Sequence, residues 1–325
     1  MSDLSVGPAP DSDRPVLVVL RALGLGDLLT AVPALRALSR SCPEHRLVLA
    51  TPSWLEPVVS LVGGIHTVLP TSGVQAPIGM RAGVADIAVN LHGRGPVSTR
   101  LLDALAARRK IGHREPGWPG PAWQDGLHER VRWSRLMEAH GMPADPGDIS
   151  IARPVLPGAL PGSLSGAAVV HVGAAYASRR WPADRFAAVA RSLSDNGRLV
   201  LVSGGAADHS RAAAVVRAAG LPGGANLAGR LGLAEFASLI ADAGVLVSAD
   251  TGAAHLASAY RTPSVVLFGP VPPALWGPPA DGPHIALTGD PHRAGDPFAD
   301  HPDPALLAVT PADVIAAVDS LGRAG

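Results

Sequence analysis

The sequence predicts an α/β protein built as two successive units, each with its own buried parallel sheet. Three observations carry this. Short, almost continuous apolar runs recur along the chain, as strands buried on both faces require. Helical or loop segments alternate with those runs, as the crossover connections of parallel sheets do. A stretch dense in proline and glycine, residues 154–166, interrupts the alternation and reads as a linker. With 325 residues and 47% hydrophobic composition, the chain has material for two cores. The expected division is a flexible tail over 1–14, an N-terminal domain over 15–160, a C-terminal domain over 161–310 and a last helix over 311–325.

Residues 15–21 (PVLVVLR) form the first strand and lead into ALGLGD at 22–27. A helical pattern follows, with Leu28, Val32, Leu35 and Leu38 three or four apart. Pro33 either opens the regular helix or kinks its first turn. Further strands are expected at 46–51, 66–69 and 85–91, and residues 112–121, rich in Pro, Gly and Trp, read as a surface loop. In the second half, strands are expected at 168–172, 198–202, 226–228, 244–248 and 264–268. Helices are expected over 182–193, 233–243 and 253–260, and from a cap at Asp208 to a stop at Gly220. Thr310 caps the final helix, whereas 269–283 and 289–304 read as irregular. Two such Rossmann-like units facing each other create a cleft, and ligands belong at the carboxyl ends of the strands.

Charge balances at 27 basic against 27 acidic residues, so no electrostatic case exists for broad nucleic-acid binding. Cys42 is the single cysteine; it forms no internal disulfide and is read as leaving no cysteine-based metal site. His284, His292 and His301, with Asp290, Asp296, Asp300 and Asp303, match no metal-ligand spacing, so no metal is expected. The first 14 residues lack the basic start and apolar run of a signal peptide. No apolar stretch reaches the roughly 18 residues that span a bilayer. A cytoplasmic location is expected, with peripheral membrane contact left open. There is no Walker phosphate loop and no hydrolase nucleophile elbow.

Candidate site residues cluster where strands give way to helices. Gly24 and Gly26 let the backbone approach a bound group, and the helix start favours anions or hydroxyl oxygens. As a dinucleotide fingerprint the turn is poor: the third glycine would fall at Leu29, and Ala50-Thr51-Pro52 offers no acid after the second strand. Asp27 could take a proton from an acceptor hydroxyl. Acids at helix starts are also common as caps, and the local pattern alone favours that plainer role.

In the second half, Asp250-Thr251-Gly252-Ala253-Ala254-His255 joins a strand to a helix. Backbone N–H groups near Gly252, the Thr251 hydroxyl and His255 one turn on suit a diphosphate; an ordinary capped helix with a packed histidine is the alternative. Asp250 would repel phosphate, so it reads as structural. Arg179 and Arg180 follow the strand at 168–172 and could neutralise a leaving phosphate, although isolated Arg-Arg pairs are usually solvated. Ser203 and Gly204, with Gly205, border a nucleotide or form only a tight turn.

In their order and spacing, LGLGDLLTAVPALRAL (23–38), HVGAAYASRRWPADRFAAVA (171–190), SADTGAAHLASA (248–259) and PSVVLFGPVPPALWGP (263–278) resemble glycosyltransferase family 9. This is the ADP-heptose:lipopolysaccharide heptosyltransferase family, of GT-B fold, and the likeness runs over about residues 15–276. The resemblance implies inverting sugar transfer from a nucleotide sugar, without cofactor or divalent metal. Asp27 matches the family's proposed base, and Thr251, Gly252 and His255 match its donor-diphosphate turn. Arg179 falls where the family usually has a lysine on donor phosphate. Ala174 and Ala175 replace hydroxyl residues of some members, and the tail at 291–304 lies outside the family pattern. The donor is then an ADP- or GDP-linked sugar, and the acceptor a glycan or natural-product hydroxyl seated near Asn90-Leu91-His92-Gly93-Arg94. A monomer or weak oligomer is expected. The rival readings are a nucleotide-sugar epimerase or hydrolase of the same fold and a non-catalytic nucleotide-sugar-binding homologue; a dehydrogenase is disfavoured.

Overall fold

Strand β1 (Val16–Leu20, VLVVL) is buried at every position and is the centre of the first sheet. The structure is a computed structural model that describes residues 14–156 and 164–322. The expected tail up to residue 13 and the middle of the expected linker, 157–163, lie outside the described residues, as does the boundary placed at 160/161.

After β1 come α1 (Leu25–Thr30), α2 (Val32–Ser41), β2 (Arg46–Thr51), α3 (Glu56–Val62), β3 (Thr67–Pro70), β4 (Ala85–Asn90), α4 (Val97–Asp103), β5 (Arg109–Ile111) and α5 (Glu129–Ala139). The five strands are parallel in the order β3-β2-β1-β4-β5. Strand order reverses between β1 and β4, so the crevice for a ligand lies at their carboxyl ends. Pro33 sits in the first turn of α2, where its missing N–H costs nothing; the helix therefore breaks at Ala31 and restarts. Residues 112–121 form a loop in which Trp118 is 2% exposed, and its Nε1 donates to Asp103 at 3.1 Å. The loop is anchored by a buried indole.

The second unit carries β6 (Ala168–His171), α6 (Ala183–Asp195), β7 (Val200–Ser203), α7 (His209–Ala219), α8 (Leu233–Ala241), β8 (Val245–Ala249), α9 (Gly252–Tyr260), β9 (Ser264–Phe268), α10 (Pro273–Trp276), β10 (His284–Thr288), α11 (Pro304–Ala308) and α12 (Pro311–Leu321). Its sheet is also parallel, ordered β10-β9-β8-β6-β7. Here the order reverses between β6 and β8, which places the ligand end at the loops after His171 and after Ala249. By its contacts α1 belongs to this unit, although it follows β1 in sequence. Helix α12 contributes Val314, Ala317 and Val318 to the same core as Trp181, Phe186 and Val247.

Three expectations change. Residues 226–228 form no strand: Asn226 makes one bridge to Val202, and its Oδ1 accepts from the N–H of Ala228 at 3.0 Å. The Pro222-Gly223-Gly224 turn before it leaves no run long enough to pair. Strand β10 was not expected because an edge strand with every residue half-buried or exposed lacks a continuous apolar signal. The segment 289–304 is tied down by Asp303, whose Oδ2 accepts from the N–H groups of Ala294 (3.2 Å) and Gly295 (3.1 Å) and whose Oδ1 caps α11. No helix among the described residues is long and apolar enough to cross a membrane.

Candidate active site

The loop after β8 and the start of α9 organise the site. Asp250 follows the buried strand and is itself 5% exposed. Burial pushes its carboxyl up to about 6; the Arg179 guanidinium works against that and the Asp27 charge adds to it. Arg179 Nη1 stands 3.5 Å from Asp250 Oδ2, and His255 Nε2 stands 3.8 Å from Asp250 Oδ1. Asp250 therefore lies between the Arg179 guanidinium and the His255 ring.

Helix α1 packs on α9 through two glycines. A Cβ on Gly26 would lie 2.8 Å from His255 Cδ2, and one on Gly252 would lie 2.9 Å from the side chain of Leu25. Neither glycine has a positive φ, so close helix approach explains them here. Gly24 stands half-buried just before α1. The approach sets half-buried Asp27, in the first turn of α1, close enough to Asp250 for its charge to act there. Trp276 closes the other side of His255, with ring centroids 5.9 Å apart.

Thr251 is the N-cap of α9, but its hydroxyl pairs with Ser248 Oγ at 3.0 Å and makes no cap bond. The Ala254 N–H donates to the Thr251 carbonyl at 3.1 Å, and no side chain caps the amides before it, which is the condition for binding an anion there. Arg179 ends a short 3₁₀ turn, Ala177–Arg179, and its buried Nε has no hydrogen-bond partner among the described residues. A guanidinium with an unused donor beside a helix N-terminus can take a phosphate oxygen.

The turn carrying Arg179 is strapped from behind. Fully buried Ser178 donates through Oγ to the Pro297 carbonyl (2.7 Å) and through N–H to Ala299 (3.1 Å), and its own carbonyl accepts from Asp303 N–H (3.0 Å). Tyr176 and Phe298 meet edge-on above it, centroids 4.9 Å apart. The sequence reading missed this strap. Its one signal is Asp303-Pro304, an N-cap acid followed by a first-turn proline.

The other candidates lie elsewhere. Arg180 is exposed and donates through Nε to the Ala174 carbonyl at 3.2 Å, so it does not join Arg179 on Asp250. Ser203 Oγ bonds His171 Nδ1 at 3.0 Å. A Cβ on Gly204 would meet Asp208 Cβ at 2.8 Å, and Asp208 Oδ2 accepts from Gly205 N–H at 2.9 Å. Asp208 thus supports this turn, and its side chain does not cap α7. Burial lowers the His171 imidazole to about 4, leaving it neutral at ordinary pH. In the first unit, Asn90 is a loop builder: its Nδ2 donates to Gly93 O (3.0 Å) and Ser98 Oγ (3.1 Å), and its Oδ1 accepts from His92 N–H (3.1 Å). His92 is held neutral, at about 4, by burial and the nearby Arg21 charge. Arg21 in turn donates to the Leu91 carbonyl and lies over Trp133, 4.9 Å from the ring centroid.

Residues 152–292 match the model of glycosyltransferase family 9 (heptosyltransferase). Lipopolysaccharide heptosyltransferase 1 of Pseudomonas aeruginosa is 33% identical over 189 residues, which is 57% of this chain and 51% of that protein. Lipopolysaccharide heptosyltransferase 2 of Escherichia coli K12 is 30% identical over 158 residues, 47% of this chain and 42% of that one. The chain thus spans about half the length of these curated relatives. The solved structure of E. coli ADP-heptose LPS heptosyltransferase II superposes with a TM-score of 0.72 at 19% identity, covering 94% of this chain and 98% of that one. By fold, with its two five-stranded parallel sheets, the protein belongs to the GT-B class. Within that class its residues 152–292 are similar to glycosyltransferase family 9, the heptosyltransferases. The matched segment contains Arg179 and the start of α9 but ends before the strap residues Pro297 and Asp303.

Proposed function

We propose that the protein is an inverting glycosyltransferase that moves a heptose-like sugar from an ADP-linked donor to a glycan hydroxyl. The observation that carries this is the meeting of Asp27, Arg179, Asp250 and His255 at the start of α9, whose first amides no side chain caps. The relatives' names supply the sugar and the lipopolysaccharide acceptor class.

In the reaction, the acceptor oxygen attacks the anomeric carbon from the face opposite the diphosphate. Asp27 accepts the hydroxyl proton as that bond forms, and the bond from the anomeric carbon to the diphosphate oxygen breaks with its electron pair. Arg179 Nε and the first amides of α9 take the charge that develops on the leaving group. Asp250 keeps Arg179 and His255 in place and does not itself touch phosphate. These groups supply the positive field, so the reading calls for neither cofactor nor divalent metal. A cytoplasmic protein that meets its acceptor at a membrane surface fits this scheme.

The test is a melting-temperature screen against ADP, GDP, UDP, ADP-heptose, GDP-mannose and NAD. ADP and ADP-heptose are expected to stabilise the chain, and Arg179→Ala is expected to lose most of that gain. Stabilisation by NAD alone overturns the reading.

A further inference from the structure

The amino ends of β1 and β2 border a pocket of ≈ 210 Å³ whose lining includes Arg14, Leu17, Leu38, Cys42, His45 and His66. It lies at the end of the first sheet opposite to the carboxyl ends of β1 and β4. Nothing in the glycosyl-transfer scheme uses it. Two of its lining residues, Cys42 and His45, stand with Glu44, which lies outside the lining, as three donors of different chemistry. Cys42 Sγ, a Glu44 carboxylate oxygen and a His45 ring nitrogen lie within 4.8 Å of one another. All three come from a single turn between α2 and β2, closed by the His45 N–H to Cys42 carbonyl bond at 3.0 Å.

His45 is the pivot. Its side chain is 8% exposed, with Nδ1 2.8 Å from Glu44 Oε1 and Nε2 2.9 Å from Asp86 Oδ2. Asp86 is itself fixed by Arg108 Nε at 2.7 Å on its other oxygen. Asp86 on Nε2 fixes the ring and turns Nδ1 to Glu44, with which it shares a proton that a bound ion would displace. Metal-binding histidines are oriented by just such an outer carboxylate. His66 is not a fourth ligand, because Arg14 Nη1 stands 3.3 Å from its Nε2 and brings a positive charge.

We infer that this turn binds one divalent cation of the zinc type, through Cys42 thiolate, His45 Nδ1 and Glu44 carboxylate, with Asp86 as the orienting partner and water in the fourth position. The ion displaces the Cys42 thiol proton and the proton shared between Nδ1 and Glu44. Mixed S, N and O donors suit zinc, whereas magnesium and calcium select all-oxygen sets. Bond lengths of about 2.0–2.3 Å set the donor atoms about 3.5 Å from one another, so the Nδ1–Oε1 pair opens from its 2.8 Å contact. Glu44, whose side chain is 62% exposed, has the freedom to make that move. The proposal departs from the expectation of no cysteine-based metal site, because one thiol suffices when the next residues of the same turn supply the rest. Its role is a clip on the α2–β2 turn, and it stands apart from the proposed transfer reaction.

The test titrates full-length protein, free of any histidine tag, with Co²⁺ and then Zn²⁺. One equivalent of Co²⁺ should produce a thiolate charge-transfer band in the near ultraviolet, which Zn²⁺ abolishes by displacement. At about a hundredfold excess over Kd, Zn²⁺ should raise the melting temperature by about 5 °C. Cys42→Ser should lose the band. Glu44→Gln, at an exposed side chain that cannot disturb the fold, and Asp86→Asn should each weaken binding about tenfold or more. Absence of a thiolate band overturns the inference. So does a band with unchanged affinity in both Glu44→Gln and Asp86→Asn, since that marks adventitious binding to a thiol only.

Discussion

Replacing Asp250 with asparagine should change how the stability of the protein depends on pH. In the folded chain the carboxyl sits at about 6, against an ordinary value of 3.8, chiefly because it is buried. A shift of about two units at about 1.4 kcal/mol each amounts to about 3 kcal/mol. The folded state holds the proton more tightly than the unfolded one. Asp250 therefore stabilises the fold fully below pH about 4, and that contribution is lost as pH rises through about 6. Of the whole, about 2 kcal/mol falls between pH 4.5 and 7.5 by the linkage relation. Asparagine keeps the shape and cannot titrate. Loss of the partner for Arg179 adds an offset that does not vary with pH, because a guanidinium stays charged. His171 and His92, both lowered to about 4, titrate alike in the two proteins and cancel. Urea unfolding of both proteins at pH 4.5, 6.0 and 7.5 measures the effect. The variant should gain about 2 kcal/mol on the parent across that range. Parallel curves would refute the claim that the fold perturbs Asp250.

Four other outcomes follow from the same geometry. Asp27→Asn should cut turnover by about a hundred- to ten-thousand-fold while leaving donor affinity in calorimetry within about threefold. Arg179→Ala should weaken ADP binding by about tenfold or more, read by the same titration, because it removes a charge-assisted contact worth about 1.5–3 kcal/mol. Gly26→Ala puts a methyl 2.8 Å from His255 Cδ2 and should cost about 1–3 kcal/mol in chemical denaturation, with donor affinity lowered through the displaced imidazole. Ser178→Ala leaves the Pro297 carbonyl without its buried donor and should cost about 1–2 kcal/mol; steady-state kinetics should show donor KM rising more than kcat falls, since the strap acts by placing Arg179.

Much of this architecture could be read from residue order alone. Strands such as VLVVL at Val16–Leu20 and SVVLF at Ser264–Phe268 are buried at all positions, and a continuous apolar run is an unambiguous signal. Strand β10 lacks a signal because its side chains are half-buried or exposed, and helix α5 because polar residues interrupt its apolar spacing although Trp133, Leu136 and Met137 are buried. At the site, the turn of Asp250 to His255 was found because a strand, a glycine and a helix start coincide there. What the sequence conceals is tertiary. That Gly26 and Gly252 serve helix approach depends on α1 and α9 meeting, over two hundred residues apart in the chain. That Arg179 faces Asp250 while Arg180 turns back to Ala174 depends on a 3₁₀ turn held by Ser178 from the far tail. Local patterns rank two adjacent arginines equally; only packing separates them.

The most direct measurement is acceptor-dependent release of ADP from ADP-heptose by the intact chain and by Asp27→Asn, with the anomeric configuration of the product determined by NMR. Release that requires the glycan acceptor, an inverted product, and a drop of at least about a hundredfold in the variant is what the account predicts. Release that proceeds equally without acceptor, or a product of retained configuration, or a variant as fast as its parent, would contradict it.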